Sequence, residues 1–80
     1  MTQKLQMFTL FGFVSTHDAL AAEALLKDMG VDVVPVPAPK SLGQLCGIAL
    51  RVLPEESERA SDLLEAAGIE VSAVGEVMDR

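Results

Sequence analysis

The chain contains one cysteine and one histidine, and its reactive chemistry starts with them. Cys46 stands in Leu45-Cys46-Gly47, where the thiolate would be the reactive form. A helix N-terminus beside it would favour that thiolate through free amides and a positive partial charge, and a lysine would add to the effect. Ser15-Thr16-His17 reads as the start of a helix, and Lys40 lies shortly before the cysteine. His17 could serve as a base for Cys46, although a first-turn histidine is ordinarily exposed surface. The other reading of Cys46 is a small buried residue between Leu45 and Ile48. A lone cysteine forms no internal disulfide, and with a single histidine it falls short of a common metal set. No metal and no cofactor is expected. With no P-loop, no Gly-x-Gly-x-x-Gly and no nucleophile elbow, the chain reads as a non-enzyme.

The 80 residues fit a single domain spanning 1–80, and at this size only about 60% of the unfolded surface is buried, so there is little room for a large pocket. Hydrophobic residues make up 50% and charged residues 22%, a globular composition. Twelve acidic residues against six basic ones give a net charge of −6, with no tryptophan or tyrosine and three phenylalanines. The residues that neutralise phosphates and stack on bases are missing, which excludes nucleic-acid binding. Lys4, the run Met7 to Val14 and Ala19-Leu20-Ala21 loosely mimic a signal peptide, but His17 and Asp18 interrupt it and cleavage would discard a strand. No apolar run approaches the roughly 18 residues of a membrane span. A reducing, cytoplasmic location without membrane attachment is expected.

The elements that would position Cys46 come from an internal repeat. Leu25-Leu26-Lys27-Asp28-Met29-Gly30-Val31-Asp32-Val33 aligns at a constant offset with Leu63-Leu64-Glu65-Ala66-Ala67-Gly68-Ile69-Glu70-Val71. Each copy reads as the end of an amphipathic helix, a glycine stop and a strand. The helix stripes are Ala22, Leu25, Leu26, Met29 and Ala60, Leu63, Leu64, Ala67, both at i, i+3, i+4, i+7. Strands are expected before each helix, at Met7 to Val14 and Gly47 to Leu53. Ser15 can cap the first helix with Asp18 at N3. Pro54 suits the first turn of the second, followed by Glu55, Glu56 and Glu58 at its positive end and a Glu55–Arg59 pair on the surface. Gly30 and Gly68 fit C′ positions with positive φ. Pro35, Pro37 and Pro39 make the second strand an edge.

The fold class is therefore α+β: a ferredoxin-like βαββαβ sandwich, antiparallel sheet order 4-1-3-2, with two helices on one face. In that topology strand 1 runs toward the start of helix 1, and the loop from Ala38 to Cys46 lies at the same end. Strand 3 lies beside strand 1, so Cys46 is expected near Ser15, Thr16 and His17, with Lys40 on the same loop. Strand 1 is apolar on both faces, Phe8, Leu10 and Val14 alternating with Met7, Phe11 and Phe13. Ala49 and Arg51 oppose Ile48, Leu50 and Val52 on strand 3. Helices cover one face, so the other exposes an apolar patch unless covered, and a homodimer through the open sheet face is expected.

The runs FGFVSTHDALAAEALLKDMGVDV and PVPAPKSLGQLCGIALRV resemble a family of short selenium/sulfur carrier-like proteins. That family shows a strand, Ser-Thr, an alanine-rich helix ending in Gly, then Pro-Arg, a serine-rich stretch, Cys-Gly and an apolar strand. Ser15-Thr16, Ala19, Glu23, Gly30, Pro39, Cys46 and Gly47 match, and the resemblance extends from about Phe8 to Val77. Lys40 stands where arginine is usual, keeping the charge and losing the planar fork. Gly43 and Leu45 replace serines, which removes hydroxyls that could cradle an anion.

The resemblance implies a carrier that holds a persulfide or selenopersulfide on Cys46 and passes it between partner proteins, a donor and an acceptor. Ser15, Thr16 and Lys40 would support the anionic cargo, and Gly47 would leave its approach open. Three other classes fit parts of the sequence. The fold order is also that of regulatory modules that bind small metabolites. Metal chaperones of similar topology present Cys-x-x-Cys before helix 1, where this chain has Val14-Ser15-Thr16-His17 and too few soft ligands. The third alternative is an interaction element with a structural Cys46.

Overall fold

A computed structural model of the chain describes residues 4–43 and 45–79; Gln44, within the expected loop, lies outside them. Six main elements follow in the expected order: β1 (Gln6–Gly12), α1 (Thr16–Asp28), β2 (Val33–Pro37), β3 (Ile48–Val52), α2 (Ser57–Ala66) and β4 (Ala73–Asp79). Short 3-10 turns at Lys40–Leu42 and Pro54–Glu56 precede β3 and α2. The strands are antiparallel in the order β2-β3-β1-β4, the order expected, in an open α+β sheet. β2 is an edge because Pro35 and Pro37 have no amide proton to give a further strand. Pro39 lies beyond the strand, at the start of the first 3-10 turn. No helix among the described residues is long and apolar enough to cross a membrane.

The repeat folds twice into the same helix stop. Val31 N–H donates to Leu26 O at 2.9 Å and Gly30 N–H to Lys27 O at 3.1 Å; Ile69 and Gly68 make the matching bonds to Leu64 and Glu65 at 2.9 and 3.0 Å. This double bond pattern needs a left-handed residue at C′, and Gly30 and Gly68 supply it with φ of 79° and 75°. The helix starts differ. Ser15 Oγ accepts Asp18 N–H at 3.3 Å and caps α1. Pro54 instead opens the 3-10 turn, and α2 proper begins at Ser57. The expected Glu55–Arg59 pair is not the one formed. Arg59 pairs with Glu56 at 3.5 Å, and its Nη2 donates to the Met29 carbonyl at 2.6 Å. That carbonyl lies at the negative end of α1, a favourable place for a guanidinium.

Sheet and helices meet in one core of Phe11, Phe13, Val33, Leu50 and Val52 against Ala19, Ala22, Leu26, Ala60 and Leu64. Both helices therefore cover the same sheet face, with Ala19, Ala22 and Ala60 among their buried residues. Leu25 and Leu63 pack at the margin of this core. Met29 and Ala67, the last members of the expected stripes, are exposed, because the helices end one residue earlier and both serve as C-caps.

The opposite face departs from expectation. Phe8, Leu10 and Ala49 lie there, away from the helical core, yet are 7%, 2% and 0% exposed. One end is closed by Arg51, whose guanidinium lies 4.2 Å from the centre of the Phe8 ring and donates to Asp79 Oδ2 at 2.8 Å. The other end is closed by the β2–β3 loop. Leu42 lies over Gly75, and Leu45 with Leu42 over Gly12. Phe8, Leu10 and Ala49, part of the apolar face from which a sheet-to-sheet homodimer was expected, are thus covered within a single chain.

Arg51 acts as a lid with an apolar stem and a charged head. Arg51→Ala is expected to lower stability by about 1–2 kcal/mol through lost stacking and ion pairing, with Asp79→Asn costing less. Urea unfolding of the two variants checks this; wild-type midpoints for both would mean that Phe8 is held by its apolar neighbours alone.

Candidate functional site

The end of β1 is where Cys46 meets the strand that leads to the Ser15 cap. Past Gly12 the strand loses regular pairing but stays tethered on both sides. On the β3 side, Cys46 N–H donates to Phe13 O at 2.9 Å. On the β4 side, Ser72 N–H donates to Gly12 O at 2.8 Å, and Val14 N–H donates to Ser72 Oγ at 3.2 Å. Cys46 is therefore fastened to a residue that lies just ahead of the α1 cap. The juxtaposition of Cys46 with the start of helix 1, read from topology, is realised through this backbone bond.

The thiol itself is half-buried. It packs at the margin of the helical core and its Sγ lies 3.6 Å from Ile48 O, within donor reach for sulfur. The two sequence readings of Cys46 meet here: it contributes to packing, and it keeps part of its surface in contact with solvent.

The supporting residues are placed less uniformly. Ser15 is half-buried, and its hydroxyl is engaged by the Asp18 amide. Asp18 sits at N3 as expected. Thr16 and His17 are exposed in the first turn of α1, where backbone amides lack partners inside the helix. Lys40 is exposed at the start of the 3-10 turn and, among the described residues, makes no ion pair. The structure thus brings Cys46 to the strand that leads into α1, and leaves Lys40 and His17 as exposed side chains without a hydrogen bond or ion pair among the described residues.

Gly47 has φ of 95°, and a Cβ built on it would meet nothing within 4 Å. Its role is conformational. The left-handed residue breaks the β1–β3 pairing and turns the chain out of β3, so that the Cys46 amide reaches Phe13 while Gly47 O still accepts Ala38 N–H at 2.9 Å.

Four residues at this site were not anticipated: Gly12, Gly75, Leu42 and Leu45. Gly12 and Gly75 leave room on adjacent strands for the two loop leucines, and a Cβ at Gly75 would stand 2.6 Å from Leu42 Cδ2. An isolated glycine inside an apolar strand is the available signal, since it marks a close approach of another group. Phe11-Gly12-Phe13 and Val74-Gly75-Glu76 both carry it.

Residues 9–76 match a protein family described as "Putative Se/S carrier protein-like". The chain belongs to that family. The match takes in the α1 cap, the loop, Cys46 and Gly47, as the resemblance in the sequence implied. Neither curated proteins nor solved structures yield a match to this chain.

An alanine at Gly47 has free space but an unfavourable backbone. Gly47→Ala is expected to destabilise the fold by about 1–3 kcal/mol and to loosen the Cys46–Phe13 bond. Thermal unfolding together with amide exchange at Cys46 checks this; unchanged protection would show that the turn tolerates a side chain.

Proposed function

We propose that this family member is a sulfur or selenium carrier, holding the atom on Cys46 as a persulfide or selenopersulfide. The observation that carries the reading is the half-buried Cys46, bonded through its amide to the strand end that leads into α1, within a chain that belongs to a carrier-like family. In the loading step the Cys46 thiolate attacks the outer sulfur of a donor persulfide, R–S–SH. A new bond joins Cys46 Sγ to that sulfur, the donor S–S bond breaks, and R–S⁻ leaves. No external oxidant or reductant is needed, because one sulfur–sulfur bond replaces another. A selenium atom in the outer position follows the same balance.

The loaded group is anionic once deprotonated. The unpaired amides of the first turn of α1, at Thr16 and His17, offer partial positive charge, and Lys40 is free to swing toward the loop. Ser15 holds the turn together through its cap bond rather than by contacting the cargo. Donor and acceptor proteins are the partners in this reading, and the chain catalyses no turnover alone. A homodimer through the open face is a separate proposal, supported by the exposed Val34 and the partly exposed Leu42 and Leu45 on that face. The strand order and the shared core support a ferredoxin-like assignment for the fold. The cytoplasm, with its reduced thiols, is the compartment that suits a free Cys46.

A second reading has one observation in its favour. A shallow groove of about 280 Å³ runs along the edge strand beside the cysteine, lined by Pro35, Val36, Pro37, Gly47 and Ile48. In a small-metabolite-binding or interaction module this groove would be the contact surface and Cys46 a packing residue.

Intact mass separates the two. After exposure to a low-molecular-weight persulfide, the wild type is expected to gain one sulfur that a thiol reductant removes, and Cys46→Ser to gain none. Absence of the adduct under conditions that load a control thiol would sink the carrier reading in favour of the module.

A further inference from the structure

The β2–β3 loop reaches both faces of the sheet around the end of β1. Leu45 lies over Gly12 on the open face. Its neighbour Cys46 packs on the helical core, with its amide on Phe13 O. Leu42, one 3-10 turn earlier, sits over both Gly12 and Gly75 on the open face. The segment is therefore held by two leucine side chains on one face and by the cysteine on the other. Gly43 and Gly47, with φ of 92° and 95°, stand on either side of the Leu45–Cys46 pair. These are backbone positions at which the chain can turn without side-chain conflict.

We propose that Leu42 and Leu45, seated on Gly12 and Gly75, are positioning residues that keep the Cys46 thiol turned inward against the Ile48 carbonyl. Lifting the two leucines from their seats delivers the thiol to a partner. This rests on the carrier reading and adds a resting state to it. An exchange-prone sulfur held half-buried is protected from stray thiols and oxidants, since thiol–disulfide exchange depends on access. A partner that competes for the two leucines, or for the glycine seats beneath them, would couple docking to exposure of the cargo atom. The seats are specific to glycine for a steric reason. A methyl at Gly75 would lie 2.6 Å from Leu42 Cδ2, and one at Gly12 would stand 3.4 Å from Leu42 Cδ1 and closer still to Leu45 Cδ1. Neither glycine has a positive φ, so an alanine there suits the backbone and displaces only the end of a flexible side chain.

The test is the rate at which iodoacetamide, a small neutral reagent, alkylates Cys46 in the wild type, Leu42→Ala/Leu45→Ala and Gly75→Ala, with circular dichroism confirming the fold. Both variants are expected to react several-fold faster than the wild type, and Leu45→Met, which can refill the seat, to stay near the wild-type rate. A rate equal to or below that of the wild type in a folded variant overturns the proposal. Should the double variant fail to fold, Gly75→Ala alone decides, since it keeps both leucines. Sulfur loading by intact mass is read in parallel. Faster alkylation with no loading in any variant would refute the carrier reading and leave the seats standing. Loading in the wild type with unchanged alkylation in the variants would refute the seats and leave the carrier.

Discussion

β1 is hydrogen-bonded to a strand on each side and carries apolar side chains on both faces, so both faces must be removed from water. Two helices satisfy one face through Phe11 and Phe13. The other, with Phe8 and Leu10, has no second layer of secondary structure to meet it. An 80-residue chain has few residues to spare for that purpose. It covers the second face with side chains instead: an arginine stacked on Phe8 and anchored to Asp79 at one end, and two loop leucines over glycines at the other. Burying this face is what brings the β2–β3 loop down onto the sheet, and the loop carries Cys46 with it. The location of the cysteine thus follows from a packing requirement at the strand beside it.

Around that strand the remaining structure is organised by repetition. The same glycine-terminated helix end occurs twice, with the same pair of backbone bonds, and each time returns the chain toward the sheet. The two helices lie together on the core through buried alanines, and Arg59 of α2 is bonded to the terminal carbonyl of α1. At the opposite end of α1, Cys46 and Ser72 tether the end of β1 just ahead of the helix cap.

For a carrier the arrangement is economical. A group that passes a sulfur atom between proteins needs one nucleophilic atom, a nearby positive potential and a way to be hidden and shown; it does not need a deep pocket. In the proposed reading Cys46 is the first, and the first-turn amides of α1, which lack partners inside the helix, would be the second. The loop flanked by Gly43 and Gly47 would be the third. The departures from the family pattern acquire a physical sense as well. Leu45, where the resemblance implies a serine, fills the seat above Gly12, so this position is used here for packing.

The order of elements, the edge position of β2, the Ser15 cap, the Gly30 and Gly68 stops and the nearness of Cys46 to the start of α1 were legible in the sequence. Each depends on local stereochemistry or on a topological rule with few exceptions: proline lacks an amide proton, glycine admits positive φ, and crossovers have one hand. Family membership was legible too, because it rests on residue types at fixed spacing. The partner of Arg59, the cover over Phe8 and Leu10, and the seats at Gly12 and Gly75 were decided only in the folded chain. They depend on which side chains meet across strands and loops distant in sequence, where several partners of equal chemistry compete. Alternation along β1 shows that both faces need covering, but only the tertiary structure selects the residues that cover them.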